Sequence, residues 1–470
     1  MSMDLHINAV LISEKGKKII VRRMISDMGG QGFVYLVDYD GEKKVLKWYK
    51  EEYLEELRKR PPLSFGVNGH RRRIGLFRPT SVNVEQAFYD NLCKNTAVWQ
   101  SGKVPSSWNF VWPQDMTKWD GREDSSFGYI MDWIPSDTYP TVEKFFVFSE
   151  RFPSREVMLT ACLNILRAFE NLHNAGYSYQ DINEGNIYIR PDTGDILIAD
   201  TDNVTQDGYG FSIKGTDGYK APEIWMGEVP SAASDRFSLA IVLFRLMMGS
   251  AHPLEGLYSL EMDDPYISQG KDPVFIFDKT DGRNQACREM HRNAMIFWPQ
   301  YPDYIHALFY HVFSSETIRN KEKRPTEKEW IEALVRLRGE IAGCPYCETL
   351  VYAGAGMAVP CPACHQTETV SPCYLRYQTQ NIPLTAGRIV YRCQWDADCR
   401  DFREPFLKIV KRGTARYFEM LHMSRGDIWT VIYADGTRKR IPYGAYTPFS
   451  MGMEIRFGGK SFVVMGEEWY

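Results

Sequence analysis

Apolar and polar positions alternate along residues 18–49, and the alternation predicts three short strands, KIIVRRM, FVYLVDY and KKVLKWY. The Asp40-Gly41 pair between the last two is a two-residue hairpin signal, and the Gly-rich GGQG (29–32) separates the first two. Residues 50–80 break the pattern. They are basic, with RKRPP and HRRR, and read as an irregular solvated insertion. VEQAFYDNLCK (84–94) has the period of a short amphipathic helix, and FGYIMDWI (127–134) reads as a strand. The clearest helix spans 155–175, where Met158, Cys162, Ile165, Phe169 and Leu172 recur at steps of 4, 3, 4 and 3. Ser154 is placed to cap its start and Gly176 to end it. IYI (187–189) and ILIA (196–199) flank RPDTGD as a hairpin. From about 225 to 338 the pattern is mostly helical, and 375–470 alternates strand-like runs with turns such as ADGT and FGGK, an all-β pattern.

Length and charge narrow the function. A chain of 470 residues leaves room for roughly two to four domains. It is 44% hydrophobic and 25% charged, an ordinary globular balance, and its net charge of −4 argues against nucleic-acid binding as the main activity. FSLAIVLFRLMMG (237–249) is too short to span a membrane and carries Arg245. The first residues lack a basic segment followed by a long apolar core, so no secretory signal and no membrane partner are expected. CPYC (344–347) and CPAC (361–364) are separated by thirteen residues. Cys344, Cys347, Cys361 and Cys364 at this spacing suit a tetrahedral, structural Zn2+ and a reducing, cytoplasmic location. A redox role would want a thioredoxin-like βαβ context, which is not visible. Cys373 or His365 is an alternative ligand; Cys93, Cys162, Cys287, Cys393 and Cys399 read as ordinary thiols.

The chemistry lies in an ordered series. MGGQGFVYLV is followed by VLKWY, GYIMDWI, YQDINEGN (179–186), ADTDN, GTDGYKAPE (215–223), SDRFSLA and KRPT. Residues from about 18 to 338 thereby resemble a Hanks-type, eukaryotic-like Ser/Thr protein kinase catalytic domain. The resemblance implies an α+β bilobal kinase fold, ATP and Mg2+. It implies that Gly29, Gly30 and Gly32 cradle phosphates and that Val34 covers the adenine. Lys47 pairs with the phosphates and is held by Glu85, whose helix continues with Phe88, Tyr89 and Leu92. Met131 is the gatekeeper, and the backbone of Asp132, Trp133 and Ile134 binds the adenine edge. Asp181 is the base, and Asn186 and Asp200 hold the metal, with Asp202 a rival ligand. Thr216 contacts the base, Glu223 pairs with Arg324, and Asp235 hydrogen-bonds the catalytic-loop backbone. Three departures stand out. Asp27 sits at the first glycine position. Tyr179-Gln180 replaces His-Arg, so no cation is available for a phosphorylated activation loop and activity need not depend on such phosphorylation. Thr201 and Asp202 replace Phe and Gly, which puts the in/out flip of that segment in doubt.

The last hundred residues resemble a forkhead-associated β-sandwich through AGRIVYR (386–392) and GMEIRFGGKSFVV (452–464). They lack the Ser-x-x-His and Asn-Gly elements of a phosphothreonine pocket and read as a docking module. The expected organisation is a kinase N-lobe at 1–134 with the basic insertion 50–80, a C-lobe at 135–338, a zinc ribbon at 339–370 and a β-sandwich at 371–470. This combination resembles bacterial kinases associated with tellurium-resistance-type gene sets. That resemblance implies a protein substrate, with a von Willebrand factor A-domain protein and a metal-dependent phosphatase as partners. The leading expectation is an active Ser/Thr protein kinase. A pseudokinase scaffold acting through its zinc and β domains is the alternative. A small-molecule kinase is disfavoured by GTDGYKAPE, which builds a protein-substrate platform.

Overall fold

The computed structural model describes residues 4–27, 29–59, 84–101, 109–122, 125–210, 215–369, 373–411 and 418–467. The chain divides into two compact units, Met1–Arg151 with Ile165–His291 and Phe309–Glu327, and Phe152–Asn164 with Arg292–Leu308 and Lys328–Tyr470. The second unit thus takes in two short helical stretches besides the tail.

The chain opens with β1 (Val10–Ile12), β2 (Lys18–Ser26), β3 (Gly32–Tyr39), β4 (Glu42–Tyr49), α1 (Glu51–Lys59), α2 (Val84–Gln100), β5 (Asp115–Met116) and β6 (Gly128–Met131). The strands form one antiparallel sheet in the order β1-β2-β3-β4-β6-β5. The expected strands and the Asp40-Gly41 turn are present, with both turn residues at positive φ. β1 was not expected, and neither was α1. Residues 51–59 were read as part of an irregular insertion, but Tyr53, Leu54 and Leu57 share one buried face. Glu51 and Glu52 in the first turn and Arg58 and Lys59 in the last complement the helix dipole. The remainder of the insertion, including HRRR, lies outside the described residues. α2 runs past the expected 84–94 as far as Gln100.

An aromatic cluster seals α1 and α2 onto the sheet. The ring of Tyr49 lies 5.2 Å from those of Phe88 and Phe127 and 5.8 Å from that of Tyr53. Two glycines let backbones close in around β4. A Cβ on Gly32 would sit 2.6 Å from the Trp48 carbonyl oxygen, and one on Gly128 2.2 Å from that of Lys47.

Further along come α3 (Val142–Phe146), α4 (Arg155–Asn174), β7 (Tyr177–Ser178), β8 (Ile187–Ile189), β9 (Ile196–Ile198), β10 (Thr205–Gln206), α5 (Pro222–Trp225) and α6 (Ala232–Met247). The apolar stripe of α4 is buried, and the Ser154 hydroxyl accepts from the Val157 N–H as an N-cap. α6 is buried almost all round, which accounts for its apolar run. Among the described residues no helix is long and apolar enough to cross a membrane.

Asp235, in the first turn of α6, fixes the loop that follows β7. It accepts from the backbone N–H groups of Tyr179 (2.6 Å) and Gln180 (2.9 Å). Its Oδ2 also meets His173 Nε2 at 3.1 Å, while His173 Nδ1 meets Glu327 Oε1 at 2.9 Å. Arg236 donates to Glu327 as well. A further pair stands nearby in the chain's later part: Arg324, buried, grips both oxygens of Glu223 at 2.6 and 2.7 Å.

In the second unit, hairpins β11 (Ile341–Gly343)–β12 (Leu350–Tyr352) and β13 (Ala358–Pro360)–β14 (Thr367–Thr369) precede a β-sandwich. One sheet has six strands and the other four, and they share a core built round Trp395, Phe406, Trp429 and Phe462. Glu156 is tied into this unit by Tyr391 Oη (2.6 Å) and Arg388 (3.3 Å). Cys373, weighed as an alternative metal ligand, is buried in the sandwich core and donates to the Glu467 carbonyl.

Burial alone would depress the His173 pKa, but Asp235 and Glu327 outweigh it and raise it to about 9. Burial opposes the charge on Glu327, and His173 with Arg236 pulls it down to about 2. A raised histidine stabilises the fold fully below its unfolded value, near 6.5, and that contribution is lost as pH climbs through about 9. Urea unfolding from pH 6 to 9.5 is therefore expected to show wild type losing about 3 kcal/mol relative to a His173→Gln variant. Parallel curves would contradict a charged imidazole at this position.

Candidate active site

β4 carries Lys47 inward at the register Val34 opposite Lys47 and Lys47 opposite Tyr129. The residue is 4% exposed, and its ammonium uses three acceptors: Asp200 Oδ1 at 3.0 Å, Asp202 Oδ2 at 2.9 Å and Gln31 Oε1 at 3.0 Å. Both carboxylates arrive through one backbone feature. The chain leaving β9 turns left-handed at Asp200 (φ 50°, ψ 50°) and enters a 3-10 turn over Thr201–Asn203. Thr201, where an aromatic residue was the family expectation, is buried, and its hydroxyl donates to the Val111 carbonyl at 3.1 Å. Burial pushes the Asp200 carboxyl up, and Lys47 pulls it back. Burial likewise opposes the charge on Lys47, and Asp200 and Asp202 overcome it and raise its pKa.

One expectation is not met. Glu85 was expected to hold Lys47, yet it is not among the partners of Lys47. Arg58 of α1 grips both Glu85 oxygens at 2.8 Å instead. The reason is local: α1 brings a guanidinium fork to α2, and a planar fork matches a carboxylate better than an ammonium does.

The loop between β7 and β8 brings three polar side chains together. Thr216 donates to Asp181 Oδ1 at 2.8 Å, Asn186 Nδ2 donates to the Asp181 carbonyl at 3.0 Å, and Asn183 Nδ2 reaches Thr216 Oγ1 at 3.1 Å. Burial raises the Asp181 carboxyl, with the Thr216 bond opposing. Tyr179 is fully buried, and its hydroxyl donates to the Ala199 carbonyl just before Asp200. The Gln180 amide donates to Ser178 Oγ, Thr205 Oγ1 and the Tyr209 carbonyl.

On the glycine-rich stretch, Lys50 Nζ donates to the carbonyls of Asp27 (2.8 Å) and Gly29 (2.7 Å), and Gly30 has open space around it. Val34 is half-buried against the aromatic cluster, and Met131 is buried at the end of β6. After it, Asp132 accepts from Lys44 at 2.7 Å, Trp133 lies under the Lys43 ammonium at 3.2 Å, and Ile134 packs on the same cluster.

Four thiols form a second site. The Sγ atoms of Cys344, Cys347, Cys361 and Cys364 all lie within 4.8 Å of one another. The 344–364 and 347–361 separations are 3.6 and 3.5 Å, far beyond an S–S bond of about 2.05 Å. They are close to the spacing of about 3.8 Å that Zn–S bonds of about 2.3 Å impose in a tetrahedron. Each C-x-x-C sits at the tip of one hairpin, so the four thiols can hold a metal ion.

The sequence reading missed Gln31, Tyr49, Arg58, Asn183, His173 and Glu327. Asn183, Gln31 and Tyr49 each lie inside a motif already singled out, YQDINEGN, GGQG and VLKWY, whereas Arg58, His173 and Glu327 lie in none of that series.

The protein kinase domain family matches residues 122–293. Protein kinase YegI of Escherichia coli O157:H7 is 24% identical over 268 residues, covering 54% of this chain and 39% of YegI. Serine/threonine-protein kinase PknA of Mycobacterium tuberculosis strain H37Ra is 34% identical over 116 residues, 23% of this chain and 26% of PknA. The solved kinase domain of PknI from M. tuberculosis aligns with 70% of this chain and 98% of its own at 16% identity, with a TM-score of 0.42. The chain spans about two-fifths of the length of the YegI relative. Residues 122–293 are similar to a protein kinase domain, and the bacterial relatives include a protein kinase, YegI, and a serine/threonine-protein kinase, PknA.

Proposed function

We propose that the chain is an ATP-dependent protein kinase that transfers the γ-phosphoryl group to Ser or Thr hydroxyls of a protein substrate. The observation that carries this reading is the 3.0 Å pair between Lys47 and Asp200, which joins two motifs far apart in sequence, beside a loop bearing both Asp181 and Asn186. Phosphoryl transfer asks mainly for positioning and charge neutralisation. Lys47 neutralises the α- and β-phosphates, and backbone amides of Gly29, Gly30 and Gly32 approach the phosphate oxygens without side chains between. Asp181, held in orientation by Thr216 and made more basic by burial, orients the substrate hydroxyl and accepts its proton. Asn186 and Asp200 offer the hard oxygen donors that suit Mg2+, whose chemistry there is neutralisation of phosphate charge. Met131 borders the adenine, with the backbone of Asp132, Trp133 and Ile134 at its edge.

The departures that would favour a silent scaffold are Asp27, Gln180 and Asp202. Gln180 and Asp202 make side-chain hydrogen bonds of their own. Gln180 ties the loop to Thr205 and Tyr209, and Asp202 holds Lys47, which supports the active reading. The Cys344, Cys347, Cys361 and Cys364 cluster holds a structural Zn2+. A von Willebrand factor A-domain protein and a metal-dependent phosphatase are the partners implied by the resemblance to tellurium-type kinases.

With labelled ATP and Mg2+, wild type is expected to label protein, its own chain or an added acceptor. Asp181→Asn should lower transfer about 10²–10⁴-fold while nucleotide binding persists. Absence of transfer by wild type with any divalent metal would leave the scaffold reading. Purified protein is expected to contain one zinc per chain by elemental analysis. Cys347→Ser or Cys361→Ser should lose it together with several degrees of Tm; full metal retention by both variants would refute the four-thiolate site.

A further inference from the structure

Val45, Lys47 and Tyr49 alternate onto one face of β4. Tyr49 is fully buried, and its ring is fixed among Tyr53, Phe88 and Phe127. Its hydroxyl therefore has one place to go, and it donates to Asp202 Oδ2 at 2.6 Å. The same oxygen takes Lys47 at 2.9 Å. Asp202 is fully buried, and its other oxygen, Oδ1, has no hydrogen-bond partner among the described residues. A buried carboxylate with one oxygen unpaired is costly unless a cation compensates it, and Lys47 is that cation.

The two carboxylates on Lys47 differ in what else they must do. Asp200, a third exposed, is the carboxylate assigned above to metal. Asp202 lies wholly out of solvent and has no such duty. Glu85 is already neutralised by the Arg58 fork.

We infer that Asp202, oriented by Tyr49, is the carboxylate that anchors Lys47 for phosphate binding, and that Glu85 with Arg58 instead clamps α1 to α2. This rests on the kinase reading for its catalytic consequence, although the anchor itself is a property of the nucleotide-free protein. The anchor joins β4 to the turn after β9. Holding the lysine in place then requires no movement of α2.

The test has two arms on the full chain. In the first, Tm is measured without nucleotide for Lys47→Met, Asp202→Asn, Glu85→Gln and the doubles. The losses from Lys47→Met and Asp202→Asn are expected to be non-additive, the double losing less than the sum, while Lys47→Met and Glu85→Gln add. In the second, Asp202→Asn should lower kcat/KM for ATP at least tenfold and by more than Glu85→Gln does. Additive losses for Lys47 and Asp202, non-additive losses for Lys47 and Glu85, or a reversed kcat/KM ranking would overturn the assignment. Should Asp202→Asn fail to fold, Tyr49→Phe, which keeps the ring packing, takes its place in the first arm, and additivity with Lys47→Met refutes the anchor. A wild type that transfers no phosphate refutes the kinase reading alone, and the first arm still decides the anchor.

Discussion

The Lys47 ammonium is removed from water, and a buried cation has to be met by negative charge within hydrogen-bond reach. That single requirement organises the cleft. The left-handed turn at Asp200 meets it by bringing two carboxylates, two residues apart, onto one nitrogen. Gln31 of the glycine-rich stretch lies against the same nitrogen. The strand that carries the lysine is held close by neighbours that cannot bear side chains, Gly32 and Gly128.

A second constraint runs through the Asp235 carboxylate. The loop bearing Asp181 and Asn186 has no regular secondary structure of its own over residues 179–186, apart from its turn. Without Asp235 the backbone N–H groups of Tyr179 and Gln180 would lose their acceptor. Asp235 in turn needs a counter-charge, which His173 supplies, and His173 is shared with Glu327. The precision of the loop thus depends on a chain of charge-assisted bonds that reaches well behind it.

Much of this was legible in the sequence where one period or one motif sufficed. Alternation marked β2, β3 and β4, and the 4, 3, 4, 3 spacing marked α4. The Asp181 and Asn186 spacing, and the C-x-x-C pairs, singled out loops that the fold does bring together. What failed was partnership across long separations. Arg58 meets Glu85 only because α1 forms, and α1 was hidden by the basic run that follows it. Nothing in DTDN announces that Asp202 turns inward toward Lys47, since that depends on the backbone sign at Asp200. Likewise His173 and Glu327 are 154 positions apart, and neither lies in a motif with the other.

The ties made by Gln180 have a consequence for how the cleft responds to its surroundings. An arginine held by a phosphate is an ion pair at the surface, weakened by dissolved salt within a Debye length of about 8 Å. An amide donating to a hydroxyl and a carbonyl carries no net charge, so ionic strength has little to screen. The ties that hold Thr205 and Tyr209 are therefore neutral hydrogen bonds needing no modification, and they would survive both brine and a phosphatase.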